Sequence, residues 1–212
     1  MYKYVLFDFD GTVFDTVEGI TKCVRYAINK VGIDVPLDEL RCFAGPPLGD
    51  MFMEKFGFDR KGAEQAVADF RERYAPIGLY ESHVFPGIAE LLQELKAVGC
   101  KLGIATSKPQ PLAEELLTRE GIIDLFDAIS GSDPTGGDDS KQEVTEKAMK
   151  LMGASPEETV LVGDTKYDVI GAHQCGIKCI GAGYGYAAEG ELESVGADYI
   201  ADDMDEIKSI IL

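Results

Sequence analysis

Strand-like and helix-like segments alternate through most of this chain, and the alternation restricts the fold more than any other feature of the sequence. Short apolar runs, such as Lys101 to Thr106 and Thr159 to Val162, are typical of buried strands. Amphipathic segments lie between them, and the one from Pro86 to Val98 begins with a proline and is followed by Gly99, as helices often are. Such alternation predicts an α/β fold: a doubly wound, mostly parallel sheet with helices on both faces. Residues 2–8 form its first predicted strand.

Residues 16–81 interrupt this alternation. They show helical patterns over Val17 to Val31, Leu48 to Phe56 and Lys61 to Tyr74, separated by prolines and glycines and by no convincing strand. We therefore predict a helical cap domain over 16–81, inserted into an α/β core domain formed by residues 1–15 and 82–212. Aromatic residues at helical spacing are expected to form the core of a small bundle in this insertion, with a substrate wall as the alternative: Phe52, Phe56, Phe70 and Tyr74.

The composition limits the partners. A chain of 212 residues with 45% hydrophobic content can bury a full core. Its net charge of −18 argues against binding to nucleic acid or to an anionic membrane surface, because both need clustered lysine and arginine. A small anionic substrate is compatible with this charge, because a metal ion and a few local cations can reverse the sign inside one pocket.

Cysteine spacing and hydropathy indicate the compartment. The five cysteines form no CxxC pair, and no histidine completes a zinc site with them, so we expect free thiols in a reducing environment. The sequence shows no basic-then-apolar leader and no apolar run near the roughly 18 residues of a membrane span. We expect a soluble cytoplasmic protein, a monomer or a homodimer.

Charged and hydroxyl side chains follow the predicted strands at the points where the strands end. Because the carboxyl ends of parallel strands meet at one edge of a sheet, where ligands bind, we expect these side chains to surround one site. A capping-box pattern at Ser140 places one further lysine at the start of a helix beside them. In chain order the candidates are Asp8, Asp10, Thr106, Ser107, Lys108, Lys141, Asp164 and Asp168.

These residue types suit magnesium-assisted phosphate chemistry. Two carboxylates as close as Asp8 and Asp10 repel each other unless a proton, a partner or a metal neutralises one. Mg²⁺ prefers hard oxygen ligands and takes one or two carboxylates, which Asp8 and Asp164 can supply. A carboxylate can also attack phosphorus to give an aspartyl phosphate, while a second one, Asp10, handles the proton.

The phosphoryl oxygens need donors of their own. Thr106 and Lys141 are expected to bind them where charge accumulates, and Ser107 and Gly11 are further candidates for phosphate binding.

The motifs resemble those of the haloacid dehalogenase superfamily, closest to its phosphoglycolate-phosphatase-like branch. They are Asp8-Phe9-Asp10-Gly11-Thr12, the strand from Leu102 that ends in Thr106, and Gly163-Asp164 followed by Asp168. The resemblance covers essentially the whole chain, including a helical cap between the first two motifs. It implies Asp8 as nucleophile and Asp10 as general acid and base. It also implies Mg²⁺ held by Asp8, the Asp10 carbonyl and Asp164, with Asp168 outer-sphere or orienting a metal-bound water.

The third motif departs from the branch pattern. Many members have Lys-Pro-x-Pro, whereas this chain has Asp138 to Glu143 without prolines. We choose Lys141 as the motif lysine because the capping box places it in the first helical turn. The helix dipole disfavours a cation there, which points to another use for it.

The expected function is a Mg²⁺-dependent phosphatase that acts on a small phosphorylated metabolite. The alternatives are a pyrophosphatase or 5'-nucleotidase of the same branch, a phosphomutase of the β-phosphoglucomutase type, and a signalling module that holds phosphate on Asp8 without processing a metabolite. Within the insertion, Arg41 and Phe43 are the candidates for contacts with the leaving group.

Several of these residues also have an ordinary structural interpretation. Asp15 and Asp168 could be helix N-terminal charges, and Thr106 could be a β-branched strand residue. Lys108, before Pro109, is typical of a solvated loop charge. The glycine-rich run from 181 to 186 is interpreted as a flexible strand-end loop, because it lacks the third glycine of a dinucleotide fingerprint.

Overall fold

The chain forms two compact units. The computed structural model describes residues 1–133 and 140–212. The core unit comprises Met1–Phe14 and Val84–Leu212, and the helical unit comprises Asp15–His83. Within the described residues, no helix combines the length and the apolar composition needed to cross a membrane.

Helices and strands alternate along most of the chain. The first half contains β1 (Tyr4–Phe7), β2 (Phe14–Asp15), α1 (Val17–Asn29), α2 (Leu48–Phe56), α3 (Arg60–Tyr74), β3 (His83–Val84), α4 (Ile88–Ala97), β4 (Lys101–Pro109) and α5 (Gln110–Arg119). The second half contains β5 (Ala128–Ser132), α6 (Lys141–Met152), β6 (Thr159–Gly163), α7 (Lys166–Gln174), β7 (Lys178–Ala182), α8 (Glu191–Ser194), β8 (Tyr199–Ala201) and α9 (Met204–Ile211). Short 3-10 helices cover Leu37–Phe43, Gly78–Tyr80, Ile123–Leu125 and Pro156–Glu158.

The core unit is built on a six-stranded sheet with the order β5-β4-β1-β6-β7-β8. All neighbouring strands in it are parallel, so the predicted α/β fold with a doubly wound parallel sheet is confirmed. The chain runs from β1 outward to β5 on one side and then returns to fill the other side from β6. The strand order therefore reverses between β1 and β6, and the crevice at such a point is where α/β sheets bind ligands.

The register brings the ends of the central strands level. Phe7 lies opposite Ile104 of β4 on one side and opposite Val162 of β6 on the other. The backbone N–H of Asp8 continues the ladder by donating to the Val162 carbonyl at 2.8 Å. The residues that follow β1 and β6 consequently emerge side by side at one edge of the sheet.

Helices cover both faces of this sheet. All four residues of the central strand β1 are buried, and alternate strand residues point to opposite faces, so both faces of the sheet are covered at this strand. On one face, Leu6 and Leu161 pack with residues of α6 and α7 in a continuous apolar cluster. Helices α4 and α9 pack against each other, and each contacts a strand of the sheet.

The helical unit has its own core. Helices α1 and α3 pack together, and α2 packs on α3. Four phenylalanine rings stack around the end of α2, with ring centroids between 5.0 and 6.4 Å apart. The rings are those of Phe43, Phe52, Phe56 and Phe58.

The predicted and observed elements differ in two ways. Strand β4 continues to Pro109 rather than ending at Thr106. Several short elements have no predicted counterpart: strands β2 and β3, helix α8, and helix α9, which is only eight residues long and is capped by the Asp203 side chain accepting from the Glu206 N–H.

Candidate active site

Asp8 and Lys141 meet beneath the end of β1. Asp8 follows the strand directly, and only 7% of its surface is exposed. Ser140 caps α6 through both hydrogen bonds of a capping box, which fixes Lys141 as the first helical residue. The Lys141 ammonium donates to Asp8 Oδ1 at 2.5 Å and to the Ala105 carbonyl at 3.2 Å. The expectation that Lys141 lies beside the strand ends is therefore met by the structure.

The loop from β6 to α7 supplies two more carboxylates, Asp164 and Asp168, and the structure buries both completely. Asp168 Oδ2 accepts from the Thr165 N–H at 3.0 Å and from the Thr165 hydroxyl at 2.8 Å. Its other oxygen lies 2.8 Å from the Lys141 ammonium. Asp168 thus combines the helix N-terminal role and a place in the site, and Lys141 bridges it to Asp8.

Asp164 is held differently, because its hydrogen-bond donors are neutral. The Thr12 hydroxyl donates to Oδ1 at 3.1 Å, and the backbone N–H of Tyr186 donates to Oδ2 at 2.8 Å. Sequence reasoning missed the second contact, because a backbone N–H gives no side-chain signal.

Two glycines make room for these carboxylates. A Cβ on Gly11 would lie 2.1 Å from Asp164 Oδ2, and the φ of Gly11 is +85°, which side-chain-bearing residues rarely adopt. A Cβ on Gly163 would lie 2.3 Å from Asp168 Cγ. Gly11 therefore contributes space and backbone conformation beside Asp164, and its N–H donates to the Phe14 carbonyl at 2.8 Å.

The buried charges perturb one another. Burial raises the pKa of Asp8 to about 7, with the Lys141 charge acting in the opposite direction and Asp168 adding to the increase. Burial, together with the charges of Asp168 and Asp8, holds the pKa of Asp164 well above its usual range. Burial alone would lower the pKa of Lys141, but Asp168 and Asp8 outweigh it and raise that pKa. Lys141 therefore stays charged. Its single positive charge does not neutralise the buried carboxylates around it.

The same residues fit a divalent cation. Oxygens of Asp8, Asp164 and Asp168 all lie within 4.8 Å of one another, and all three side chains are buried. With both lysines and all carboxyls ionised, four carboxylates face two ammonium groups, which leaves a surplus of two negative charges: Asp8, Asp10, Asp164 and Asp168 against Lys108 and Lys141. An all-oxygen donor set with a surplus of two charges suits Mg²⁺.

Lys108 corrects the interpretation from sequence. A solvated loop charge is expected there, yet Lys108 is only 7% exposed. Its ammonium donates to both oxygens of Asp10, at 3.0 and 3.3 Å, and lies 5.5 Å from the centre of the Phe9 ring. The strand-like backbone of β4 extends to Pro109 and carries Lys108 inward, so this lysine belongs to the site.

The other predicted phosphate-binding residues lie on β4. Thr106 is buried, and its hydroxyl accepts from the Lys108 N–H at 3.1 Å. Ser107, next to it, is exposed, as alternation along a strand requires. Of the residues around the expected third motif, Asp138 and Asp139 lie outside the described residues.

The remaining candidates lie in the helical unit. Arg41 is exposed. Phe43 is only 1% exposed, and its ring packs on Phe52 with centroids 5.0 Å apart, so it occupies the core of that unit. Asp15 Oδ1 accepts from the Val17 N–H at 3.2 Å, which agrees with its interpretation as a helix N-terminal residue. All five cysteines lie in the described ranges and are free thiols.

Matches to known proteins cover most of this chain. The family model of haloacid dehalogenase-like hydrolases matches residues 5–182. A 5'-nucleotidase of Pseudomonas aeruginosa is 39% identical over 211 residues, which cover 99% of this chain and 96% of that protein. The tyrosine-protein kinase PtkA of Mycobacterium tuberculosis is 36% identical over 185 residues, which cover 87% of this chain and 63% of PtkA.

A solved structure is equally similar. The crystal structure of a predicted phosphatase from Clostridium acetobutylicum matches with a TM-score of 0.94 and 40% sequence identity, and the match covers 100% of this chain and 98% of that one.

Proposed function

We propose that this chain, which belongs to the haloacid dehalogenase-like hydrolase family and is a phosphatase, hydrolyses a small phosphorylated metabolite through an aspartyl phosphate on Asp8, with Mg²⁺ bound. The observation that carries the proposal is the buried cluster at the point where the strand order reverses. There Asp8 lies beside Lys141, Asp164 and Asp168, and the cluster lacks two positive charges.

The metal would be held by Asp8, Asp164 and the backbone carbonyl of Asp10. When bound, it would neutralise negative charge on the transferring phosphoryl group. Asp168 would act from outside this set, because Thr165 and Lys141 already occupy its oxygens.

In the first step, a carboxylate oxygen of Asp8 attacks phosphorus. A bond forms between that oxygen and phosphorus, the bond from phosphorus to the leaving oxygen breaks, and the proton of Asp10 passes to the leaving oxygen. Lys141, whose charge is maintained by its buried carboxylate neighbours, donates to the phosphoryl oxygens together with Thr106.

In the second step, water attacks the phosphorus of the aspartyl phosphate. Asp10, now ionised, takes the proton of that water, and the bond between phosphorus and Asp8 breaks to release inorganic phosphate. Lys108 donates to both Asp10 oxygens in the structure. Lys108 would therefore orient the Asp10 carboxyl group for proton transfer.

The helical unit is proposed to act as the cap, and its exposed Arg41 is the candidate for a contact with the leaving group. Phe43 would influence that surface only through packing, since its ring is buried. Among substrate classes, nucleoside 5'-monophosphates are supported by the relative named 5'-nucleotidase, with 39% identity along nearly the whole chain.

The nucleophile is tested by Asp8→Asn, which keeps the size of the side chain but removes its nucleophilic charge. With Mg²⁺ and an aryl phosphate, released inorganic phosphate should fall to background, whereas the exposed Asp205→Asn should match the wild-type rate. Wild-type rates in Asp8→Asn would exclude the aspartyl-phosphate route.

The substrate is tested by measuring phosphate released from a panel of nucleoside monophosphates, phosphoglycolate, sugar phosphates, pyrophosphate and phosphotyrosine. A preference for nucleoside monophosphates is expected. A preference for pyrophosphate, or slow hydrolysis with sugar-phosphate isomerisation, would replace this substrate class with one of the alternatives.

A further inference from the structure

The glycine-rich run after β7 contacts the site more closely than its composition predicts. Residues 183–186 form a segment that we call the 183–186 loop. The N–H of Gly183 donates to the Ala201 carbonyl of β8 at 2.8 Å, and the N–H of Gly185 donates to the Ala182 carbonyl at 3.1 Å. The loop is therefore tied to the sheet rather than extended into solvent as a free strand-end segment.

A tyrosine side chain ties the loop to the first motif. The Tyr184 hydroxyl donates to the Thr12 carbonyl at 2.9 Å. Its ring meets the Phe85 ring edge-on, with centroids 5.1 Å apart. The ring contact and the hydroxyl contact are separate, so the hydroxyl can be removed while the ring remains packed.

The loop also contacts Asp164 at close range. A Cβ on Gly185 would lie 2.2 Å from Asp164 Cβ and 2.6 Å from the Gly11 carbonyl oxygen. Next to it, the Tyr186 N–H donates to Asp164 Oδ2 at 2.8 Å. Only a glycine at 185 lets the loop lie close enough for this hydrogen bond.

These contacts form one hydrogen-bond network around Asp164. Thr12 donates to Asp164 Oδ1 through its hydroxyl and accepts from Tyr184 through its carbonyl, while Tyr186 donates to Asp164 Oδ2. Each carboxylate oxygen of Asp164 thus has one fixed donor, and Tyr184 joins the two segments that carry those donors.

We propose that the 183–186 loop sets the orientation of the Asp164 carboxylate for metal binding, with Tyr184 and Gly185 as positioning residues that touch neither substrate nor metal. The proposal rests on the proposed function only in taking Asp164 as a Mg²⁺ ligand. Mg²⁺ demands nearly ideal octahedral geometry, so a carboxylate rotated away from it binds poorly. Changes to residues that orient a metal ligand typically cost 10–100-fold in metal affinity.

The first test compares two glycines of the same loop. Gly185→Ala places a methyl group against Asp164, whereas Gly183→Ala places one against the side chain of Asp202, which is exposed and can move. Magnesium chloride is titrated into metal-free full-length protein by calorimetry, without substrate. We expect the Mg²⁺ dissociation constant to rise about tenfold or more in Gly185→Ala and to stay within about twofold of wild type in Gly183→Ala.

The second test removes one hydroxyl. Tyr184→Phe keeps the ring on Phe85 but loses the hydrogen bond to Thr12, and we expect the Mg²⁺ dissociation constant to rise by about tenfold. The matched control is Tyr199→Phe on β8. It removes a hydroxyl that accepts a hydrogen bond from the Lys178 ammonium of β7 at 3.1 Å. That control should bind Mg²⁺ as the wild type does.

The outcomes distinguish an effect on the orientation of the Asp164 carboxylate from an effect on the stability of the fold. Melting temperatures of the metal-free proteins are measured in parallel, and a variant that melts earlier yet binds Mg²⁺ normally would show a merely structural role and overturn the inference. Wild-type affinity in folded Tyr184→Phe and Gly185→Ala, or no Mg²⁺ binding by the wild type, would overturn it as well. If both variants weaken Mg²⁺ binding but the wild type releases no phosphate from any substrate, the proposed function is wrong and this inference stands.

Discussion

Among the described residues, the core unit has fully buried charged side chains and the helical unit has none. In the core unit, Lys141 and Asp168 form an ion pair whose side chains are 7% and 0% exposed. In the helical unit, Lys30 pairs with Glu72 while the two side chains are 33% and 59% exposed. The interior of the helical unit is instead apolar, with stacked phenylalanine rings around Phe52.

The difference separates residues that fold the chain from residues that perform chemistry. Burying ionised groups without full compensation costs stability, so a fold keeps such groups only where they have another use. The raised pKa values of Asp8 and Asp164 show that the compensation is incomplete. Changes in the helical core should therefore affect stability alone, and changes at the strand ends should affect metal binding and turnover.

The largest stability effect is expected from Phe52→Ala in the helical unit. Phe52 is fully buried, and truncating a buried phenylalanine costs about 3–5 kcal/mol. The melting temperature should fall by roughly 6–20 °C, while the Mg²⁺ dissociation constant of the folded protein stays unchanged. Differential scanning calorimetry and Mg²⁺ titration check this, with the more exposed Met53→Ala on the same helix as control. Weakened Mg²⁺ binding would contradict the claim that the core of the helical unit affects stability alone.

The largest catalytic effect after loss of the nucleophile is expected from Lys141→Met. This variant removes the cation that contacts both Asp8 and Asp168. Losing one donor to a developing negative charge costs about 10²–10³-fold in turnover, and phosphate release should fall by that factor. The exposed Lys147→Met on the same helix should be unaffected. A loss below about tenfold in folded Lys141→Met would remove Lys141 from the phosphate-binding group.

A moderate effect is expected from pH on the metal-free protein. Burial raises the pKa of Asp8 to about 7 from an ordinary value of 3.8. The stability that its neutral form contributes is complete below pH ~4 and is lost as pH rises through about 7. Because Mg²⁺ binds the ionised form, the rise in melting temperature on adding Mg²⁺ should be larger by a few degrees at pH ~8 than at pH ~5.5. Equal rises at both pH values would contradict this account.

The smallest effect is expected from Lys30→Met on the surface of the helical unit. Lys30 contacts Asp69 and Glu72 at 2.9 and 2.6 Å, but the pairs are partly exposed and screened by solvent. The melting temperature should change by no more than about 4 °C, and Mg²⁺ binding should not change. A decrease as large as that of Phe52→Ala would show that surface charge stabilises this unit as much as its aromatic core does.

The site could be predicted from sequence where its charged residues directly follow the predicted strands. Asp8, Asp164 and Lys141 are expected together because parallel strands deliver their carboxyl ends to one edge. Lys108 is also a candidate from its place after the strand, but a lysine before a proline is typical of a solvated loop, so no role in the site is assigned to it from sequence. The signal is present nonetheless: Thr106 and Lys108 are two residues apart and so share a face of an extended strand.

Other features depend on tertiary packing that no local pattern encodes. The backbone N–H of Tyr186 binds Asp164 from 22 residues away, and any residue except proline could supply it. Phe43 is a candidate for substrate contact because of its place in the insertion, but the rings of Phe52 and Phe56 determine its surroundings. Contacts of this kind appear only once the chain is folded.

The glycines around the carboxylates limit how this site could be engineered into another protein. Gly11, Gly163 and Gly185 each leave a space that an aspartate then occupies, with the missing methyl group 2.1 to 2.3 Å from an atom of that aspartate. Copying the four aspartates and two lysines onto another parallel sheet would therefore fail where alanines stood at these positions. The arrangement of the carboxylates therefore depends on three positions that carry no side chain as much as on the aspartates themselves.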